Sequence, residues 1–190
     1  MLKNKTVLIT GASSGIGAAC ASQFAAMGAN LILCARQIEK LHALAAQLQN
    51  AHGIEIHTIM LDVRSKEQIT AAIHALPDKW KAIDILINNA GLAAGLDFLH
   101  EGQVQDWEDM IDTNVKGLLY MTREILPHML KQNRGHIINI GSIAGHQVYP
   151  KGAVYCASKF AVNAITQGLR MDLLGSRIRV STVDPGAVET

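Results

Sequence analysis

The sequence predicts an α/β fold: a doubly wound, mostly parallel sheet of at least six strands with helices on both faces. Three observations predict it. Short apolar, β-branched runs alternate with longer helical patterns, five βα units and a sixth strand. The strands read as continuous apolar runs, as expected of a parallel sheet covered by helices on both faces. A glycine-rich turn, "TGASSGIG" (10–17), follows the first strand at once.

Each element has its own signal. "TVLIT" (6–10) is a strand, and 15–27 reads as a helix. "NLILC" (30–34) is the second strand, with a helix from Ile38 to Ala51. "IEIHTIML" (54–61) is the third, followed by a helix to Leu76. "IDILINN" (83–89) leads to a long helical region from Val104 to Gln132, which Pro127 should kink or restart. "HIINIGS" (136–142), a helix over 153–174 and "IRVSTVD" (178–184) complete the series. No repeat or low-complexity linker divides 1–190, so the chain reads as one dinucleotide-binding domain. Such sheets bind ligands beyond the carboxyl ends of their strands, so the chemistry should lie just after each one.

Composition excludes several classes. Hydrophobic residues make up 49% and charged residues 17%, which rules out a disordered chain. A net charge of +1 gives no electrostatic case for nucleic acid, and no apolar run is long enough to span a membrane. Cys20, Cys34 and Cys156 are odd in number and far apart, which fits reduced thiols in the cytoplasm. The eight histidines form no ligand pair, so no metal is assigned.

Gly11, Gly15 and Gly17 are spaced GxxxGxG. This allows a tight turn, close approach to a pyrophosphate, and close helix–strand packing. The helix start at Gly15 offers free amides to phosphate. No lysine follows the last glycine, so this is not a Walker-type loop. The second strand ends "CARQ", with Ala35 where an acid would hold the ribose hydroxyl of NAD. Arg36 suits the 2′-phosphate of NADP instead, and Ser13 can add a hydroxyl. In "YCASK" (155–159), Tyr155 and Lys159 leave one helix face a turn apart.

Taken together with "LDV" (61–63), "NNAG" (88–91), "DTNVKG" (112–117), "NIGSIAG" (139–145) and "DPGAVET" (184–190), these motifs resemble the short-chain dehydrogenase/reductase family over all 190 residues. The resemblance implies a Rossmann fold binding NADP(H). Its cofactor residues would be Gly11, Ser13, Ser14, Gly15, Ile16, Gly17, Arg36, Asp62, Val63, Asn89, Ala90 and Gly91. Asp62 would accept from the adenine amino group, with Val63 against the ring. Pro185, Gly186, Val188 and Thr190 would flank the nicotinamide.

It also implies a catalytic set of Asn114, Ser142, Tyr155 and Lys159. A free phenol is too weak an acid to lose its proton at neutral pH. An ammonium about 4 Å away stabilises the phenolate by about 4 kcal/mol at an effective dielectric of about 20. Lys159 would supply that field and hold the nicotinamide ribose. Ser142 would place the substrate oxygen. Asn114 would kink the long helix and hold a water joining Lys159 to solvent.

Family members continue through a substrate lobe and a further strand, which the resemblance places beyond Thr190. Without them "IRVSTV" is an unpaired edge. The resemblance also implies a homodimer or homotetramer through the 104–132 and 153–174 helices. Within the family, "NNAGLAAG" and "DWEDMIDTNVKGLLYMTREILPHML" are most similar to serine and 3-hydroxy acid dehydrogenases. A carboxylate substrate needs an anchor, and His146, Gln147, Tyr149 and Lys151 stand between the serine and the tyrosine. A general carbonyl or 3-oxoacyl reductase, or a non-catalytic NADP sensor, are the alternatives.

Overall fold

The computed structural model describes residues 2–188. Its six strands form one parallel sheet in the order β3-β2-β1-β4-β5-β6. They are β1 (Thr6–Thr10), β2 (Asn30–Ala35), β3 (Ile56–Met60), β4 (Ile85–Asn88), β5 (Gly135–Ile140) and β6 (Ile178–Val183). The helices are α1 (Gly15–Ala26), α2 (Ile38–His52), α3 (Lys66–His74), α4 (Val104–Ile111), α5 (Leu118–Gln132) and α6 (Ala153–Asp172).

The strand alternation divides the core between the two faces. Leu8, Ile32, Leu86 and Ile137 meet α3 and α5 through Ile69, Ile73, Met121, Ile125 and Met129. Val7, Ile9, Leu31, Leu33 and Ile87 meet α1 and α2 through Ala21, Ala25, Leu41 and Leu48. Each fully buried leucine or isoleucine contributes about 1.5–3 kcal/mol of transfer free energy. Burial on both faces, expected of every strand, fails at the ends of the two edge strands: Met60, the last residue of β3, is 67% exposed and Val183, the last of β6, is 51% exposed.

The helix does not restart at Pro127: α5 runs through it, and Pro127 and Arg123 four residues earlier are both exposed. Water can take the carbonyl that the missing N–H leaves free. The helical region changes pitch at Asp112–Gly117, a π-helical turn that contains Asn114, where a local kink was expected. Such turns insert a residue into the helical ladder and recur at functional sites.

From β1 the sheet grows one way through β2 and β3, and the other way through β4, β5 and β6. The crevice at this switch point, beyond the ends of β1 and β4, is where a doubly wound sheet takes its ligand.

Candidate active site

Beyond that switch point lies a cleft of about 720 Å³. Gly11, Ser13, Ser14, Gly15, Ile16, Arg36, Asp62, Val63, Asn89, Ala90, Gly91, Ser142, Tyr155, Lys159, Pro185, Gly186 and Val188 all line it. Gly17 lies behind the wall: a side chain there would collide with Gly11 O and the Asn89 amide. Asn114 is likewise one layer back. Thr190 lies outside the described residues.

The ends of β1 and β4 are tied together. Thr10 Oγ1 accepts from the backbone N–H of Asn89 and of Ala90, each at 3.0 Å. Asn89 Nδ2 donates to Thr10 O at 2.9 Å and to Gly11 O at 3.2 Å. Gly11 has φ +64°, and a Cβ there would stand 2.9 Å from Ala90 Cα. Glycine therefore meets both the conformation and the close approach. A bare turn and the free amides at the start of α1 leave a phosphate-sized berth.

At the outer end, Arg36 and Lys40 both line the cleft and are exposed. The sequence reading missed Lys40, which sits in the first turn of α2, where only the fold turns it toward the cleft. Asp62 is more heavily engaged than expected. Arg64 Nε donates to its two oxygens at 3.1 and 3.0 Å, and Nη2 at 2.7 Å. The same guanidinium reaches Asp109 of α4 at 2.7 Å. These bonds from Arg64 are the main reason the Asp62 carboxyl titrates below its ordinary range. No local sequence signal pairs residues 45 apart.

At the inner end stand the four expected catalytic groups. Ser142 caps a short turn and lines the cleft: its Oγ accepts from Ala144 N at 3.1 Å, which leaves its hydroxyl proton available to a ligand. Lys159 is 7% exposed, and its Nζ donates to Ile140 O at 3.0 Å. It lies 5.8 Å from the centre of the Tyr155 ring. Burial pushes the Lys159 ammonium down to about 8, against the opposing attraction of Asp184.

The Asn114 side chain is fully used. Its Oδ1 accepts from Leu92 N at 2.9 Å, and its Nδ2 donates to Leu92 O at 2.8 Å and Ser158 Oγ at 3.0 Å. Ser158, which the sequence reading treated only as small, bridges Asn114 to Tyr155 O at 2.7 Å. Gly91 separates Asn114 from Lys159: a Cβ there would lie 3.2 Å from Asn114 Oδ1 and 3.6 Å from Lys159 Nζ. Beneath, Asn88 donates to Thr122 Oγ1 at 3.0 Å and Asn139 Oδ1 at 2.9 Å, and Asn139 to Thr166 Oγ1 at 2.8 Å. This buried amide chain fixes α5, β4, β5 and α6, and with α6 the tyrosine and lysine.

The four expected substrate anchors separate. His146 pairs with Asp184 at 3.2 Å, and the Tyr149 ring lies over Gly152. Gln147 is exposed. Lys151, with φ +65°, places its Nζ 4.9 Å from the Phe98 ring centre. With Tyr155, Asp97, Asp106 and Trp107 it lines a small recess that shares Tyr155 with the cleft. Among the described residues no cluster of groups fit to hold a metal ion occurs, and no helix is long and apolar enough to cross a membrane.

Comparison with known proteins bears on this geometry. The sequence model for short chain dehydrogenases matches residues 5–190. The NADP-dependent 3-hydroxy acid dehydrogenase YdfG of Salmonella typhi is 48% identical over 182 residues, covering 96% of this chain and 72% of that protein. The NADP-dependent 3-hydroxy acid dehydrogenase of Schizosaccharomyces pombe is 43% identical over 190 residues, covering 100% and 73%. Serine dehydrogenase from Escherichia coli superposes with a TM-score of 0.91 at 45% identity, covering 95% of this chain and 82% of that one. A closed form of serine dehydrogenase complexed with NADP+ gives 0.91 at 44% identity, covering 97% and 73%.

Proposed function

Because the chain belongs to the short-chain dehydrogenase family, we propose that it is an NADP-dependent oxidoreductase of small 3-hydroxy acids, with serine among them. The observation that carries this reading is one cleft with Tyr155, Lys159 and Ser142 at its inner end and Arg36 with Lys40 at its outer end. A bound nicotinamide supplies the hydride chemistry. The glycine turn and the α1 amides would hold the pyrophosphate, and Arg36 and Lys40 the 2′-phosphate. Asp62 and Val63 would meet the adenine, although Arg64 already occupies most of the Asp62 lone pairs. Asn89, Ala90, Gly91, Pro185, Gly186 and Val188 would line the nicotinamide half.

The chain's own groups handle the proton. Ser142 donates its hydroxyl proton to the substrate oxygen and fixes it beside the phenol. Tyr155 Oη takes the alcohol proton, or returns it in reduction. Lys159 stabilises the phenolate and binds the ribose hydroxyls. The π turn at Asn114 frees backbone to hold a water beside Lys159, since its side chain is committed to Leu92 and Ser158. The substrate carboxylate is anchored by Lys151, the cation that shares a recess with Tyr155. Serine, its methyl ester and a neutral secondary alcohol, compared for NADPH formation, test this. Equal kcat/KM for ester and acid favours the general carbonyl-reductase reading instead.

The exposed apolar residues Leu119 and Leu130 on α5, and Phe160 and Met171 on α6, support a homodimer or homotetramer through these helices. Free, largely buried cysteines support a cytoplasmic location.

A further inference from the structure

Arg64 has no assigned part in this chemistry, yet it governs how Asp62 can meet a cofactor. Asp62 and Val63, just past β3, line the cleft, and Arg64 does not. The loop that carries them is fixed from several sides. Asp62 N donates to Gln68 Oε1 at 3.1 Å, and Ser65 N to Asp62 O at 3.1 Å. Val63 packs on the π turn: a Cβ on Gly117 would lie 2.8 Å from Val63 Cγ2. Three N–H groups of Arg64 then converge on the Asp62 carboxylate. The backbone N–H donates to Oδ1 at 3.0 Å and Nη2 to Oδ2 at 2.7 Å, while the one Nε proton is shared between the two oxygens at 3.1 and 3.0 Å. The far end of the guanidinium is anchored in turn. Nη1 donates to Asp109 Oδ1 at 2.7 Å, and Gln105 Nε2, one turn earlier on α4, donates to the same oxygen at 3.3 Å. A carboxylate offers about four acceptor sites, and the Arg64 protons fill about three of them. Asp62 keeps surface in the cleft, where Arg64 is absent, so the remaining site is available to a ligand there.

We propose that Arg64, braced by Asp109, is a positioning residue: it fixes the Asp62 carboxylate so that one acceptor faces the cofactor's purine, which selects a 6-amino purine over a 6-oxo purine. The chemistry of the two rings separates them. Adenine carries an amino donor at C6 and no proton on the neighbouring N1. Hypoxanthine carries a carbonyl at C6 and a proton on N1. An acceptor held opposite C6 takes a hydrogen bond from the amino group and repels the carbonyl oxygen. A carboxylate free to turn can reach the N1 proton instead and bind either ring. Orientation therefore decides the selectivity, and a planar guanidinium bonded at both ends sets that orientation as a point charge cannot. The side chains of Arg64 and Asp109 are each 33% exposed and that of Asp62 23%, so this partly solvated strap adds little to stability and can be cut without unfolding the chain.

The inference rests on the assignment of Asp62 to the adenine end of an NADP site, and its test separates the two. Dissociation constants for NADPH and for its hypoxanthine analogue are read from the nicotinamide fluorescence that both ligands carry. The two differ only at the purine, so their ratio is blind to the phosphate and nicotinamide contacts. The wild type should prefer NADPH by about tenfold or more, the worth of one hydrogen bond to a charged group. Arg64→Met should bring the two ligands to within about twofold, because the freed carboxylate can serve either ring. Arg64→Lys, which keeps the charge but not the fork, should recover a preference of only about threefold. Asp109→Ala, which releases the far end of the guanidinium, should also fall to about threefold, and it carries the test if Arg64→Met does not fold. A wild-type preference that Arg64→Met and Asp109→Ala both retain, or that Arg64→Lys restores in full, overturns the positioning role of Arg64 alone. A wild type that binds both ligands equally well overturns the Asp62 assignment and the proposal with it. A wild type that binds neither overturns the NADP reading itself.

Discussion

Replacing Lys159 with Met should change how stability depends on pH, and by an amount the structure sets. The ammonium is 7% exposed and titrates at about 8, against 10.5 when free in water. The folded state therefore holds fewer protons than the unfolded state between these two values. Stability contributed at this site is lowest at neutral pH and rises as pH climbs through 8 toward 10.5. Integrating the two titrations gives a gain of about 2 kcal/mol by pH 9.5, and about 3 kcal/mol at the limit. Other groups also titrate in this range. Burial raises the Cys34 thiol to about 12, which works in the opposite direction. Subtracting the Lys159→Met variant cancels these common contributions. The assay is urea unfolding of both cofactor-free proteins from pH 7 to 9.5. The wild type should gain about 2 kcal/mol on the variant over that interval. Parallel curves would mean that Lys159 is solvated like a surface lysine, and the electrostatic account of the site would fail.

Three further outcomes follow from the site. Tyr155→Phe should lower kcat by about a hundredfold or more while NADPH affinity stays within about twofold, since only the proton carrier is lost. A variant that keeps most of its turnover would remove the tyrosine from the chemistry. Ala35→Asp with Arg36→Leu should cost NADP about tenfold or more in kcat/KM relative to NAD, because a charge-assisted phosphate contact is worth about 1.5–3 kcal/mol. An unchanged cofactor ratio would show that Arg36 does not read the phosphate. Lys151→Met should reduce kcat/KM for free 3-hydroxy acids by about tenfold and leave a neutral alcohol unaffected; equal losses on both would point to loop packing instead.

Much of this fold was legible in the sequence because its signals are local. Continuous apolar runs such as "ILIN" (85–88) marked the strands, and their regular alternation with helices fixed a parallel sheet. The glycine turn, Ser142 and the Tyr155–Lys159 pair sit at strand ends or one turn apart, so spacing alone brings them to one cleft. What escaped reading depends on distant partners or on solvent. Pro127 reads as a point where the helix could restart, yet α5 continues through it on a solvent-exposed face. Arg64 holds Asp62 with Nε and Nη2 while its Nη1 reaches Asp109, 45 residues away on α4. Lys40 reaches the cleft through the rotation of α2, and Ser158 matters through Asn114, 44 residues away. The depressed Lys159 ammonium arises from burial, which no motif displays.

The most direct test of the central claim is the formation of NADPH from NADP and serine, or another 3-hydroxy acid, by the wild type and by Tyr155→Phe side by side. Both proteins should bind NADPH, the wild type should reduce NADP and release the oxidised acid, and the variant should not. A wild type that binds NADPH tightly yet reduces no NADP with any 3-hydroxy acid would contradict the account.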